Sequence, residues 1–266
     1  MKINNIGDRI VNTYVYSIEN GYVMIDTGYE HSFKNVCKRL NRIGIELCEI
    51  KYIFLTHAHD DHAGFLNEML AKCPQLRVII NSKSMPTLLK GQNSFHGGCS
   101  SFIALLFCKL MGLMGKGEHL FPKIEEKYVN RFIEITNENI CEIESILQGK
   151  ILFTPGHTVD SISLKVKDAI FCGDAAMNGF PSQKRITIWV EDKNEFKNSW
   201  DILITEKAKL IFPAHGKPFK DDDLKKYINH IEFVNDPPLN NLMVCLKWGL
   251  GVANQVCLFN LGTSDA

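Results

Sequence analysis

The pattern of hydrophobic and polar positions predicts strands and helices that follow one another along the chain. Two strand-like runs at 12–19 and 22–26 meet at Asn20 and Gly21, a pair typical of hairpin turns. Residues 30–43 then show the spacing of an amphipathic helix. The same reasoning predicts further strands at 52–55, 77–81, 131–135, 151–153, 161–166, 169–172 and 209–213, and further helices at 63–72, at 192–204 and from 221 onward. Two strand-rich halves, each covered by helices, indicate an α/β fold in which four layers form an αββα sandwich.

One stretch between the two halves departs from this pattern and is predicted to be an insertion. Residues 101–114 within it are apolar on nearly every side of a helix, yet too few to span a bilayer. We interpret the chain as one domain over residues 1–266, with a helical insertion at about 91–126. Two interpretations of the helix stay open: a buried core helix, or an apolar wall that contacts a substrate tail or a second copy in a homodimer. A similar apolar run at 242–259 is expected to form a packed terminal helix.

Composition and charge narrow the classes of partner. Hydrophobic residues make up 45% of the 266 residues, enough to bury one large core. Thirty basic residues balance thirty acidic ones, so no overall positive field draws in nucleic acid. The number of cysteines, nine, is odd, and no two of them have CxxC spacing, which is not the pattern of a disulfide framework. Residues 1–9 are polar and lack the apolar segment of an export signal. We therefore expect reduced thiols, a cytoplasmic location, no membrane span and no nucleic-acid partner.

The densest candidate chemistry lies directly after the strand predicted at 52–55. Three histidines and two aspartates occupy residues 57–62. Burial of so many imidazole and carboxylate groups is costly unless a cation compensates them, and these are the donors that zinc and similar divalent metals prefer. His57 and His59 share one side of an extended turn, whereas Asp61 and His62 approach from the start of the next helix. One cluster could therefore serve two metal ions.

Three later strands also end in residues of the metal-binding type. His157, Asp174 and His215 each follow a short apolar run that is predicted to be a strand. In open sheets, functional groups collect where strands end and the chain turns. We therefore expect these three side chains to join the first cluster.

With these residues identified, the chain resembles the metallo-β-lactamase superfamily of binuclear metallohydrolases. The superfamily pattern is HxHxDH followed by a later His, an Asp and a last His. The resemblance implies the αββα fold and two divalent metal ions, zinc being favoured, with iron or manganese also allowed by these donors. It implies that the first ion is held by His57, His59 and His157, that the second is held by Asp61, His62 and His215, and that Asp174 bridges the two. It also implies that Asp26 supports the metal-binding loop through hydrogen bonds.

The implied activity is hydrolysis of a small-molecule substrate. Two divalent ions would share a bridging water whose pKa falls, so that hydroxide is available at neutral pH to attack an ester, thioester or lactone carbonyl. The substrate would carry an apolar tail if the insertion forms a wall. Asp61 can bind metal and orient the nucleophile, so we expect it to be the catalytic, proton-handling residue. Phosphodiester hydrolysis and a non-catalytic metal-binding role are the alternative hypotheses.

Departures from individual branches of the superfamily narrow the substrate further. Flavodiiron proteins are expected to carry Glu where this chain has His59, so oxygen reduction is disfavoured. Metallo-β-lactamases proper lack either the bridging Asp or one of the other ligands, and this chain keeps Asp174, so antibiotic hydrolysis is disfavoured as well. The segment around His157 is similar to the glyoxalase II and acyl-homoserine lactonase branches. Only 51 residues (266 − 215) follow the last ligand, which is short for a glutathione-binding appendage, and residues 173–180 show no match to a lactonase tyrosine.

The four histidines outside the pattern, of which His96 opens the insertion, are expected to be ordinary surface or core residues: His31, His96, His119 and His230.

Overall fold

The computed structural model describes residues 2–94 and 96–231, so the terminal helix predicted at 242–259 lies outside the described residues. The strands, in chain order, are β1 (Ile3–Asn5), β2 (Tyr14–Ile18), β3 (Gly21–Ile25), β4 (Ile50–Phe54), β5 (Arg77–Asn81), β6 (Gly98–Cys99), β7 (Phe132–Ile135), β8 (Lys150–Phe153), β9 (Ile162–Val166), β10 (Ala169–Gly173), β11 (Trp189–Val190) and β12 (Leu210–Pro213). The α-helices are α1 (Phe33–Arg42), α2 (Asp60–Ala63), α3 (Leu66–Lys72), α4 (Met85–Lys90), α5 (Phe102–Leu113), α6 (Ile140–Leu147), α7 (Lys193–Thr205) and α8 (Asp222–Tyr227). Among these described helices, none is long and apolar enough to cross a membrane.

The strands form two main sheets and one short ribbon. The first sheet has the order β1-β2-β3-β4-β5-β7, antiparallel over β1 to β3 and parallel from β3 to β7. The second has the order β12-β10-β9-β8, parallel between β10 and β12 and antiparallel elsewhere. β6 and β11 pair separately as an antiparallel ribbon. Parallel neighbours bring the carboxyl ends of several strands to one edge, which is where the polar loops of this chain begin.

The core consists of three layers of apolar side chains, as a four-layer sandwich requires. Tyr16 and Phe54 of the first sheet pack with Leu164 and Phe171 of the second, so the two sheets face each other. The outer face of the first sheet packs against α1, α3 and α4. The outer face of the second packs against α7 and α8, with Trp200 at its centre. The predicted αββα sandwich is confirmed.

The predicted hairpin is present, but its turn lies one residue earlier than expected. Ile18 pairs with Gly21, so the two turn residues are Glu19 and Asn20. Gly21 is already part of β3, with a φ of 136°. A Cβ at this position would lie 2.5 Å from the carbonyl oxygen of Glu49, which explains why glycine occupies the strand rather than the turn.

The insertion differs from the prediction in two respects. It is not purely helical, because β6 precedes α5 and pairs with β11 from the second half. The interpretation of α5 as a buried helix is wrong: Ala104 and Leu105 are buried, whereas Phe102, Leu106 and Leu113 are each more than half exposed. Apolar residues on all sides gave no periodic signal for which face would be covered.

Candidate metal centre

The seven side chains that the sequence singled out lie together in one buried cluster. Four of them follow β4: His57 and His59 lie in the loop, whereas Asp61 and His62 lie in α2, which begins immediately after His59. The backbone of His59 is still extended. The candidate ligands of the first half therefore lie at the carboxyl end of β4, a central strand of the first sheet. The other three follow β8, β10 and β12 of the second sheet. The cluster thus lies at the edge where the two sheets meet.

Three imidazoles form the first group, which we call the first trio: His57, His59 and His157. The Nε2 atom of His57 lies 3.1 Å from Nδ1 of His59, and Nε2 of His157 lies 3.2 Å from the same Nδ1. Three ring nitrogens so close together cannot all be satisfied by hydrogen bonds to one another. They are arranged as donors around a common cation would be.

Two histidines and a carboxylate form the second trio: Asp61, His62 and His215. The carboxylate of Asp61 lies 3.1 Å from Nε2 of His215 and 3.7 Å from Nε2 of His62. Each trio combines side chains from both halves of the chain. Neither half alone holds a complete set.

Asp174 lies between the two trios. One of its oxygens is 3.6 Å from Nε2 of His157 in the first trio and 3.5 Å from Nε2 of His215 in the second. Its other oxygen is 3.7 Å from Nε2 of His62. A carboxylate in this position can contribute one oxygen to each of two neighbouring cations.

The donor atoms fit divalent metal ions. Within each trio the candidate ligand atoms lie within 4.8 Å of one another. Nε2 of His62 and Oδ1 of Asp174 are buried and have no hydrogen-bond partner among the described residues. Buried polar atoms without partners are costly, and a cation between them removes that cost. Nε2 of His59 also lacks a described partner, although Nδ1 is the atom that faces the trio.

Asp26 fixes the loop that carries the ligands. One of its oxygens accepts a hydrogen bond from the Thr56 backbone N–H at 2.7 Å, and the other lies 2.8 Å from both the Thr56 hydroxyl and Nδ1 of His62. Asp26 adopts a left-handed φ of 57°, a conformation that aspartate tolerates better than most residues. The hydrogen bond at Nδ1 directs Nε2 of His62 toward the site.

Groups from distant parts of the chain orient the other candidate ligands. Nδ1 of His157 lies 2.7 Å from the carbonyl oxygen of Trp189 in β11, and Nδ1 of His215 lies 2.8 Å from the carbonyl oxygen of Ile10. Asp160 accepts hydrogen bonds from the Ala58 backbone N–H at 2.9 Å and from a serine hydroxyl. None of these contacts was predicted, because the sequence does not indicate which backbone carbonyl or which distant side chain will face a candidate ligand.

A close approach between Gly173 and Thr56 sets the separation of the two halves at the site. Gly173 ends β10 with a φ of 52°, and Thr56 follows the end of β4. A Cβ at position 173 would lie 2.5 Å from the Thr56 hydroxyl oxygen and 2.7 Å from its Cβ. Only glycine allows the two strand ends to come this close.

Electrostatics keep two imidazoles of the first trio neutral. Burial, followed by the neighbouring imidazole of His62, lowers the pKa of His57. Burial, followed by His157, lowers the pKa of His59. Neutral imidazole is the form that binds metal.

The second trio behaves in the opposite way. Burial would lower the pKa of His62, but Asp61 and Asp26 outweigh it and raise that pKa to about 10. For His215, burial is outweighed by Asp174 and by the hydrogen bond to Asp61, which raise its pKa to about 9. Burial opposes the ionisation of Asp61, yet His62 and His215 hold its pKa well below the usual range. Without a cation, this trio is a cluster of paired charges.

A cleft of about 460 Å³ opens beside the first trio. Its lining residues come from the loop after β4, from α4 and the turn before it, from the loops around 94–96 and 158–160, and from the residue after β11: Ala58, His59, Lys83, Pro86, Thr87, Ser94, His96, Thr158, Val159, Asp160 and Glu191. His96, one of the histidines expected to be ordinary, therefore lines the cleft. None of the described lining residues belongs to α5.

Two further residues near the site were not predicted. Nδ1 of His119, in the insertion, lies 3.3 Å from the carboxylate of Asp60. That carboxylate also accepts a hydrogen bond from the side-chain amide of Asn93, whose oxygen accepts one from the Asp60 backbone N–H. Burial, followed by the charges of Asp61 and Asp60, raises the pKa of Tyr29. Tyr29 directly follows Gly28, in the loop after β3, and no pattern in that loop distinguishes it from an ordinary turn residue.

Comparisons with known proteins agree with this geometry. The sequence profile of the Metallo-beta-lactamase superfamily matches residues 6–215, a range that includes all seven candidate ligands. The Metallo-beta-lactamase fold-containing protein ST1585 of Sulfurisphaera tokodaii is 27% identical over 213 residues, which cover 78% of this chain and 73% of that protein. The Lactamase-like protein adaB of Aspergillus niger is 25% identical over 227 residues, which cover 83% of this chain and 55% of adaB.

The chain spans only part of several relatives. Uncharacterized protein YobT of Bacillus subtilis is 34% identical over 86 residues, which are 32% of this chain and 35% of YobT. The matched segments thus cover about a third of YobT and about half of adaB.

Solved structures show the same fold. A metallo-beta-lactamase of Cronobacter sakazakii has a TM-score of 0.59 at 17% identity, with 94% of this chain and 93% of that chain covered. The crystal structure of ST1585 has a TM-score of 0.56 at 19% identity, with 92% and 94% covered. At such identities the likeness concerns the fold and not the substrate.

Proposed function

This chain belongs to the metallo-β-lactamase superfamily, and on that premise we propose that it is a binuclear metal-dependent hydrolase of ester, thioester or lactone carbonyls. The observation that carries the proposal is the position of Asp174 between two trios of donor atoms. Zinc is the favoured metal, because imidazole and carboxylate are its usual donors. We also propose a reducing compartment such as the cytoplasm, in line with the absence of a disulfide among the seven described cysteines.

The residues divide the work as follows. The first trio would hold one ion, the second trio the other, and Asp174 would contact both. When bound, the ions would supply a Lewis acid for the substrate oxygen and a water of lowered pKa. Asp61 stays ionised, so it can accept a hydrogen bond from the attacking water and orient it. Asp26 keeps His62 in the orientation that this division requires.

The cleft beside His59 is the place where we propose that the substrate enters. Its lining mixes apolar side chains such as Pro86 and Val159 with polar ones such as Thr87. A small carbonyl substrate fits a cleft of about 460 Å³, whereas a long apolar tail would extend out of it past the exposed Val159. An apolar tail on the substrate remains part of the proposal.

A substrate panel tests the proposal. Metal-loaded protein is assayed against esters, thioesters, lactones and bis-p-nitrophenyl phosphate, with chelated protein as the blank. We expect turnover of at least one carbonyl class and little turnover of the phosphodiester. Turnover of the phosphodiester alone, or of none of the four in protein with verified metal content, would overturn it.

Asp61→Asn tests the role of that carboxylate. The change is nearly isosteric, so the fold should be retained while kcat falls by about 10²-fold or more, the range for a lost proton-handling group. Asp201→Asn, on the exposed side of α7, is the matched control and should leave kcat unchanged. Full activity of a metal-loaded Asp61→Asn variant would show that another residue handles the proton.

A further inference from the structure

Two thiols outside the metal centre lie in reciprocal contact near the amino-terminal end of β4. Cys48 belongs to the short 3₁₀ helix Leu47–Glu49, and Cys73 directly follows α3. The Cys48 thiol donates a hydrogen bond to the carbonyl oxygen of Lys72 at 3.6 Å. In return, the Cys73 thiol donates one to the carbonyl oxygen of Leu47 at 3.4 Å. Each thiol therefore reaches the residue that precedes the other. We call Cys48 and Cys73 the thiol pair.

The two thiols also contact each other. Burial, followed by a hydrogen bond with the Cys48 thiol, raises the pKa of Cys73 to about 12. Cys37 of α1 acts on Cys73 through its charge, a weaker effect than that hydrogen bond. Cys48 is exposed, whereas Cys73 is buried in the core between the first sheet and its helices. One member of the thiol pair is therefore open to a reagent from solvent, and the other lies directly behind it.

The backbone is anchored on both sides of the thiol pair. Arg131 donates hydrogen bonds to the carbonyl oxygens of Cys73 and Leu76, at 2.5 Å and 2.7 Å. On the other side, Nζ of Lys51 donates a hydrogen bond to the carbonyl oxygen of Cys48 at 3.1 Å. A bond between two sulfur atoms that are already held in contact requires little backbone movement, which is the usual obstacle to a disulfide.

We propose that the thiol pair is a site of reversible oxidation, at which a peroxide converts Cys48 and Cys73 into a disulfide. The Cys48 thiol loses its proton, and its sulfur attacks one oxygen of hydrogen peroxide. The O–O bond breaks, the leaving hydroxide takes up the proton as water, and Cys48 becomes a sulfenic acid. The Cys73 sulfur then attacks the sulfenic sulfur, and the S–O bond breaks. The departing hydroxide takes the Cys73 proton, so two thiols and one peroxide give one disulfide and two waters.

The disulfide would close a loop around the candidate ligands of the first half. Its two cysteines are 25 positions apart (73 − 48), and the segment between them contains β4, α2, α3 and four of the seven candidate ligands. A bridge across a loop of this length restricts the unfolded chain and so stabilises the native state. Because the thiol pair lies at the amino end of β4 and the ligands lie at its carboxyl end, the bridge should leave the ligands in place. Formation of the bridge requires neither the metal ions nor hydrolysis.

A reducing compartment is compatible with such a site. Thiols stay reduced there, and the disulfides that do form are transient and respond to oxidants. The thiol pair would therefore remain as two thiols until a peroxide is present, and cellular reductants would restore it afterwards.

Peptide mapping of the full chain under non-reducing conditions tests the proposal. The chain is treated with hydrogen peroxide in the presence of zinc, which is not redox-active. We expect the unaltered chain to lose two of its nine thiols, to yield a linked peptide pair that contains Cys48 and Cys73, and to recover both thiols with dithiothreitol. Cys141→Ser, at an exposed cysteine of α6, is the matched control and should behave in the same way. Absence of the 48–73 linkage from the unaltered chain would overturn the proposal.

Two single variants test the order of events. In Cys73→Ala, oxidation of Cys48 should stop at the sulfenic acid, which dimedone traps. In Cys48→Ser, oxidation of Cys73 should be at least about ten-fold slower than in the unaltered chain, because Cys73 is buried and stays protonated. Equally fast oxidation of Cys73 in Cys48→Ser, or a linkage of Cys73 to Cys37 in the unaltered chain, would overturn the proposal.

Thermal unfolding measures the effect of the bridge. At the same zinc concentration, the oxidised chain should have a Tm about 5 °C or more above that of the reduced chain, and dithiothreitol should reverse the difference. Peroxide should produce no such rise in Cys73→Ala. Both forms of the unaltered chain should hold the same amount of zinc. An unchanged Tm in a chain with a verified 48–73 bridge, or a loss of zinc on oxidation, would overturn the proposed stabilisation of the ligand-bearing segment.

Discussion

At the scale of single residues, the proposed two-ion arrangement depends most on Asp174. Its two oxygens approach histidines of both trios at 3.5 to 3.7 Å, a reach that no other described carboxylate of the cluster shares. Asp61, by comparison, contacts the second trio only.

We therefore predict that the unaltered chain binds two zinc ions and that Asp174→Ala binds at most one tightly. The measurement is metal content by mass spectrometry after dialysis against a defined zinc concentration. Asp168→Ala, at an exposed ion pair with Lys209, is the control and should keep both ions. A replete unaltered chain that saturates at one ion would exclude the binuclear interpretation.

The protonation of the two trios leads to a second prediction. His57 and His59 have lowered pKa values and are neutral near pH 7, so a cation binds them without displacing protons. His62 and His215, with pKa values of about 10 and about 9, hold protons at pH 7 that a cation has to displace. As the pH rises from about 6 to about 8, affinity for the second ion should therefore increase by about ten-fold or more, whereas affinity for the first changes little. Competition titrations with a chromophoric chelator at both pH values measure this, and an equal shift of both steps would contradict it.

Most of the candidate site could be predicted from the sequence, because the ligands share one short motif and three strand ends. The groups that orient them could not. Trp189 and Ile10 act through backbone carbonyls, and the contact between His119 and Asp60 joins residues 59 positions apart. Side chains that do their work through such long-range contacts have no characteristic neighbours in the sequence.

At the scale of elements, strand prediction was accurate wherever the apolar run was buried on both faces. β5 has the predicted bounds, and β4, β9 and β10 differ from their predictions by at most two residues at either end. The elements that the sequence did not indicate are short or lie at the periphery, namely α4, α6, β1, β6 and β11. These elements contain too few apolar residues to show the hydrophobic periodicity of a strand or a helix.

The attachment of α5 gives a prediction at this scale. Leu105 is buried against the ribbon of β6 and β11, whereas Leu106 is 59% exposed. Leu105→Ala should lower the free energy of unfolding by about 2 kcal/mol, the lower end for a buried leucine, and Leu106→Ala by less than about 0.5 kcal/mol. Urea denaturation of both variants checks this. Similar losses in the two variants would mean that the exposed side of α5 is covered in solution.

At the scale of the whole molecule, the candidate metal centre joins two halves that also meet across one apolar layer and through the ribbon of β6 and β11. Each trio takes two residues from the first half and one from the second. Candidate ligands supplied by both halves are assembled only in the folded chain, so cation binding should stabilise the native state.

Removal of metal should therefore lower the Tm of the whole chain. At a free zinc concentration about 100 times Kd, the expected stabilisation is about 2.7 kcal/mol for each ion. Differential scanning calorimetry with zinc and with a chelator measures the difference. The His57→Ala variant is the control, in which the difference should shrink, and an unchanged Tm on chelation of the unaltered chain would contradict the prediction.

The contact between Gly173 and Thr56 has a consequence for how the chain tolerates mutation. A methyl group at position 173 would overlap Thr56 and push apart the strand ends that carry the two ligand sets. In a saturation mutagenesis experiment selected for metal-dependent activity, position 173 should accept glycine alone, as strictly as the ligand positions accept their own residues. Recovery of active Gly173→Ala variants would show that the strand ends can separate without loss of the ions. If the prediction holds, Gly173 would rank in such a mutational profile among the residues of the candidate metal centre, although it has no side chain with which to bind an ion.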